Sequence, residues 1–284
     1  MGSGLSSFLL MCNSTTTAPA NSPEPSLGDL PESVVGSVLL YLNPQDICRL
    51  ASLNRAFRSA STAEFVWESK LPKNYDLIIS RVFDENKNKF SSAIWKKEIY
   101  ARLSTPSPID GGTKRVWLDK GTGKACVLIS SNGLAITGID DRRYWSWIPT
   151  EESRFHSVAY LQQIWWFEVD GEVDFPLPCG AYSLYFRLQL GRSSRRFGRR
   201  VCNSEHVHGW DIKPVKFQLS TSDGQKAISQ CYLTEPGKWN NYRAGDFVVE
   251  DSKVPMKIKF SMTQIDCTHT KGGLCVDSVL IRPK

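Results

Sequence analysis

The hydrophobic period of this chain changes once, and that change limits its fold more than any other feature. Val34, Val35, Val38, Leu39 and Leu42 recur at helical spacing, as do Ile47, Leu50, Ala51 and Leu53. Ile78, Ile79, Val82 and Phe83 outline another such face, and Ile94, Trp95, Ile99 and Leu103 one more. These are the apolar stripes of amphipathic helices. Beyond Val116 every second residue is apolar: Tyr182, Leu184, Phe186, Leu188 and Leu190 in one run, Met256, Ile258, Phe260 and Met262 in another. Such alternation marks half-buried antiparallel strands. A helix-period pattern does not persist as a strand, so the chain divides into a helical front and an all-β rear.

Punctuation sharpens the division. Residues 1–26 are rich in Ser, Thr, Pro and Asn with a single charge, Glu24, and read as a disordered leader. Pro31 suits the first turn of one helix; Asn43 as N-cap and Pro44 as first helical residue restart another, and a third is expected over 54–59. Trp67 and Leu71 close this small unit, 27–72, which gains from burying leftover apolar surface on a partner. Residues 73–115 read as a helical linker that ends at Ser104-Thr105-Pro106-Ser107-Pro108 and Gly111-Gly112. Residues 116–284 then form a β-sandwich. Its further strands are expected over 125–129, 134–139, 164–169, 215–219, 228–233, 247–249 and 276–281, with Asp170-Gly171 as a tight turn.

The net charge of +6 is mild and favours acidic partners only where it is concentrated. No apolar run approaches the roughly 20 residues of a membrane span. No Lys or Arg precedes Arg49, so a secretory signal is not expected, and the chain is placed in the cytoplasm and/or nucleus. The 8 cysteines show no zinc-ribbon spacing and read as reduced, mostly buried thiols. Gly2 and Cys12 fit a myristoyl and acyl anchor pattern, one that short sequences often match by chance.

The stretch from Leu27-Gly28-Asp29-Leu30-Pro31-Glu32 to Trp67-Glu68-Ser69-Lys70-Leu71 resembles the F-box motif, with its Leu-Pro opening, spaced apolar residues and late Trp. The rear resembles the plant phloem protein 2 lectins: Tyr144-Trp145-Ser146-Trp147 is similar to their aromatic signature, and residues 271–283, from Lys271-Gly272-Gly273 to Ile281-Arg282-Pro283, to their closing strand. The resemblance implies a multidomain α and β chain, a three-helix F-box followed by an all-β jelly-roll-like sandwich. It further implies a substrate-recognition adaptor of an SCF-type ubiquitin ligase, partnered by an SKP-type adaptor and a cullin. The target is then a glycoprotein bearing N-acetylglucosamine-containing glycans, or a protein surface. An intracellular lectin without a ligase role is the competing reading.

For docking, the F-box resemblance and the apolar pattern nominate Leu27, Leu30, Pro31, Val34, Val35, Ile47, Leu50 and Trp67 as anchors for a helical partner, with Val38, Leu39 and Leu53 assigned to the bundle's own core. Sugar recognition needs a flat aromatic face beside a few hydrogen-bonding groups. Asp140, Tyr144, Trp145 and Trp147, with Asp141, Arg142 and Arg143, supply these in one short loop. We expect Trp145 to be the exposed stacking residue, and Trp147 and one of Trp165 or Trp166 to point inward. One departure weakens the inherited sugar site: the tobacco lectin of this family has a Trp where this chain has Gly138, and Gly stacks on nothing. Trp239, near Asn240, Asn241 and Tyr242, is the candidate replacement.

Arg192, Arg195, Arg196, Arg199 and Arg200 concentrate charge, interrupted only by Phe197 among aromatics, and read as a solvated loop rather than a nucleic-acid groove; no nucleic acid is expected as a partner. Cys202, His206 and His208 have ligand spacing but no indicated fourth ligand, so no metal or other cofactor is implied. No nucleophile motif or phosphate loop points to an enzyme.

Overall fold

A computed structural model describes residues 30–83, 95–196 and 199–284, with the backbone alone over 193–196 and 199–201. Leu27, Gly2, Cys12, Ile94 and Phe197 lie outside the described residues.

Six α-helices come first among the described residues: α1 (Glu32–Leu39), α2 (Pro44–Leu50), α3 (Arg55–Ala60), α4 (Glu64–Glu68), α5 (Tyr75–Phe83) and α6 (Lys96–Leu103). Two starts are set by asparagine caps: Asn43 Oδ1 accepts from Asp46 N and Asn54 Oδ1 from Phe57 N, each at 2.9 Å. Val35, Leu39, Ile47, Phe57, Ala60 and Val66 fill the bundle. Gly36 lets α1 approach Phe65, whose ring would lie 2.7 Å from a Cβ at that position. Trp67 Nε1 donates to the Ser61 carbonyl at 2.7 Å, and its ring meets Tyr100 of α6 at 5.4 Å.

The strands are β1 (Ser107–Ile109), β2 (Lys114–Leu118), β3 (Ala125–Ser130), β4 (Ala135–Ile136), β5 (Trp145–Pro149), β6 (Ser157–Leu161), β7 (Phe167–Phe175), β8 (Gly180–Leu190), β9 (Arg192–Arg196), β10 (Arg199–Asn203), β11 (Val215–Thr221), β12 (Lys226–Cys231), β13 (Trp239–Val249), β14 (Met256–Gln264) and β15 (Leu274–Pro283). An eight-stranded sheet is organised around β15. Residues 278–281 of β15 pair with β3 and residues 274–276 with β6, while its other edge pairs with β8, which in turn pairs with β13. A five-stranded sheet in the order β12-β11-β14-β7-β4 faces it. Phe186 of the first sheet meets Phe217 and Phe260 of the second at 5.4 and 5.8 Å, which places the sandwich core.

The helices and the sandwich share one continuous hydrophobic core. The buried Asn74, just before α5, donates through Nδ2 to the carbonyls of Pro176 and Ser252, both at 3.0 Å. The stretch read as linker is therefore packed, and the sheet begins within it at Ser107.

Four expectations need correction. Asp170-Gly171 is no turn: both lie inside β7, where Gly171 pairs with Phe260 and a Cβ would meet that ring at 2.4 Å. Trp145 to Pro149 form a strand rather than a loop. The arginine run forms an antiparallel hairpin, β9–β10, instead of a loop. Among the described residues the cysteines are free but not mostly buried, since Cys48, Cys179 and Cys267 are exposed and Cys202 and Cys231 half-buried. Burial pushes the thiols of Cys126 and Cys275 up to about 12, leaving these two inert.

Candidate functional site

One surface belongs to the helices. An α-helix that buries Val35 and Leu39 must turn the stripe one residue behind them outward. That stripe is apolar: Val34 is 44% and Val38 48% exposed, and Tyr41, just past the end of α1, is 91% exposed. Leu53, after α2, is 67% exposed, and Pro31 is exposed beside half-buried Leu30 and Leu50. Sequence reasoning placed Val38 and Leu53 in the core and missed Tyr41. It also offered Val35, Ile47 and Trp67 as anchors, but all three are buried within the helical unit, so they support the docking face from beneath. The i, i+4, i+7 spacing of Val34, Val38 and Tyr41 was the available signal, since one helix carried apolar residues on two stripes.

The second surface lies at one end of the sandwich. Trp145 is 1% exposed, stacks on Phe167 at 6.4 Å and donates Nε1 to the Thr137 carbonyl at 3.0 Å. It is a core residue and cannot stack on a sugar. Trp147, expected inside, is 44% exposed on β5, the edge strand of its sheet. Trp165 and Trp166 are exposed as well. Tyr144 is half-buried beneath the Arg143 guanidinium, 5.5 Å above its ring, and Asp140 is exposed. Gly138 has φ +75 and its carbonyl accepts from Asp141 N at 3.0 Å, so this place is a left-handed turn in which a Trp would be strained. Hydrogen bonds from the Arg143 side chain hold the Asp141 carboxyl below its usual range.

Trp239 rebuilds no platform. It is half-buried, with Nε1 on Glu152 Oε2 at 2.6 Å and the Arg187 guanidinium 4.4 Å from its ring. Its rung of the sheet nevertheless leads to a cleft: Trp239 pairs with Gln189, Gln189 with Cys275, Cys275 with Tyr160 and Tyr160 with Ser146. Ser146 and Tyr160 line a cavity of about 470 Å³, together with Arg143, Gln162, Gln163, Arg192, Asn203 and His206. Burial pushes the Tyr160 hydroxyl above its usual range, and the nearby Arg192 charge opposes that shift.

Comparison with known proteins decides the family. The family model for Phloem protein 2 matches residues 124–283, and the F-box-like model matches 27–71. F-box protein PP2-A13 of Arabidopsis thaliana is 62% identical over 259 residues, spanning 91% of this chain and 88% of its own. The chain belongs to the phloem protein 2 family and carries an F-box. F-box protein PP2-A11 of the same plant is 57% identical to this phloem protein 2 chain over 284 residues, 100% of this chain and 96% of its own, and F-box protein PP2-B10 is 36% identical over 263 residues, 89% of this chain and 92% of its own. Among solved structures, the sandwich is distantly similar to a family 35 carbohydrate binding module from Clostridium thermocellum, with 12% identity, a TM-score of 0.33 and coverage of 56% of this chain and 98% of the module. Among the described residues of this F-box phloem protein 2 chain, no helix is long and apolar enough to cross a membrane.

Proposed function

We propose that this chain is the substrate-recruiting subunit of an SCF-type ubiquitin ligase. The F-box docks on an SKP-type adaptor, which joins it to the cullin, and the sandwich holds the target. The observation that carries this reading is the uncovered apolar surface of Val34 and Val38 on α1, continued by Tyr41 just past its end, beside a stripe, Val35 and Leu39, that is buried in the bundle. Apolar side chains of this kind, seated in a partner's groove, are the usual anchors of a helical interface. The chain makes and breaks no bond itself. It raises the effective concentration of the target lysine beside a conjugating enzyme supplied by other subunits. Helices and sandwich share one core, so the target sits at a set distance from the docking stripe.

The target is read as a glycoprotein with N-acetylglucosamine-containing glycans or as a bare protein surface, met in the cytoplasm and/or nucleus. The exposed Trp147, Trp165 and Trp166 at one end of the sandwich supply aromatic surface for either. The test is assembly: full-length chain, a purified SKP-type adaptor and a cullin are run together by size exclusion. Co-elution of all three is expected; separate elution of the chain would refute the ligase reading and leave a lectin without a ligase role.

A further inference from the structure

The cleft over the Ser146–Tyr160 rung is cationic, and no Asp or Glu lines it. Arg143 enters from the turn before β5, Arg192 from the first residue of β9, and His206 from the segment after β10. Arg143 is oriented by Asp141, which takes Nη2 at 2.7 Å and Nε at 3.1 Å. Arg192 is exposed and has no carboxylate partner among the described residues. Along the backbone of the hairpin that Arg192 opens, Arg195 pairs with Arg200 and Arg196 with Arg199.

Between Arg143 and Arg192, Gln163 offers an amide donor and acceptor, while the Asn203 amide holds Glu205, accepting from its backbone N at 2.9 Å and donating to its carboxylate at 3.3 Å. Asn203 pairs with Arg192 across the hairpin, which brings an amide and a guanidinium to the same wall. The volume of about 470 Å³ falls within the range of small-ligand sites, ~300–1,000 Å³. Single-stranded nucleic acid asks for exposed stacking rings in such a groove, whereas the ring at this floor, Tyr160, is buried.

We propose that the cleft binds an acidic saccharide, a sugar ring carrying a carboxylate or sulfate, with Arg192 taking the charged group and Gln163 the hydroxyls. This rests on reading the sandwich as a glycan-binding target arm, and it moves the ligand from neutral to anionic.

The experiment titrates the full-length chain with a trimer of galacturonic acid, its methyl ester, a sulfated trisaccharide, chitotriose and a phosphoserine peptide. An acidic trimer, carboxylated or sulfated, should bind at least about tenfold tighter than the neutral methyl ester, the loss expected when a charge-assisted hydrogen bond is removed. Arg192→Gln should erase that preference, whereas Lys226→Gln, on the opposite sheet, should leave it. The ester comparison needs no variant and so does not depend on Arg192→Gln folding. Equal binding of acid and ester, or preference for chitotriose, would overturn the proposal while keeping a glycan-binding sandwich. Tighter binding of the phosphopeptide, or no saccharide binding at all, would overturn both. None of these outcomes touches the docking stripe.

Discussion

The ammonium of Lys271, fully buried, donates to the Trp165 carbonyl at 2.6 Å. The same group reaches the Gln264 carbonyl at 2.9 Å and lies 3.6 Å from Asp266. Burial pushes the lysine's pKa down and Asp266 pushes it back up. The buried cation thus holds the β6–β7 connection, which carries the exposed indoles of Trp165 and Trp166, against the segment after β14. Lys271→Met should cost about 1–3 kcal/mol in denaturant unfolding, because the buried Gln264 carbonyl loses its donor, the part-buried Trp165 carbonyl being able to turn to water. An unchanged midpoint would mean that water satisfies the Gln264 carbonyl too.

The two tryptophans of β5 should separate cleanly. Trp145→Ala opens a core cavity beside Phe167 and should destabilise by roughly 3–5 kcal/mol. Trp147→Ala removes an exposed ring and should stay within about 0.5 kcal/mol. Thermal unfolding of both variants checks this, and similar losses would contradict the assigned faces.

Asp246 gives a pH dependence with a definite sign. Burial pushes its carboxyl up, but hydrogen bonds from Arg243, Ser183 and Lys284 outweigh that and hold it well below the usual 3.8. A folded-state pKa below the unfolded one contributes stability that is present above the unfolded value and lost as pH falls towards the folded value. The Tm gap between wild type and Asp246→Asn should therefore be constant from about pH 7 to 5 and shrink below about pH 4. A gap that widens in acid would contradict the assignment.

Asn74 ties the helices to the sandwich through Pro176 and Ser252. Asn74→Ala should cost roughly 1–3 kcal/mol and split the single unfolding transition expected of a shared core into two. Far-ultraviolet circular dichroism, which follows the helices, and tryptophan fluorescence would then no longer coincide.

What the sequence made legible follows from where each residue's environment is local. The N-cap Asn43 and the alternating runs of β8 and β14 depend on near neighbours, and they were readable. Trp145 and Trp147 sit two apart on β5, so alternation could not separate them; the contacts of Trp145 with Phe167 and Thr137, both set by the tertiary fold, did. Gly171 looked like a turn residue because the ring of Phe260, far along the chain, is what requires it. The N-terminal half of β13, with Asn240, Asn241 and Arg243, carries too little apolar alternation to be recognised without its partner β8. In α1 the periodicity marked both Val35 with Leu39 and Val34 with Val38, but which stripe stays outside depends on α3 and α4. The cleft joins residues from four separate segments, and only the closing strand β15 brings them together.

That outer stripe bears most directly on the ligase role. Full-length wild type and Val34→Asp/Val38→Asp should be titrated calorimetrically into a purified SKP-type adaptor, with circular dichroism showing that the variant keeps its helices. Wild type should form a one-to-one complex, and the variant should bind at least about a hundredfold more weakly, as expected for two interface anchors replaced by charge. Equal binding by the two proteins, or none by wild type, would contradict the docking of this F-box through α1.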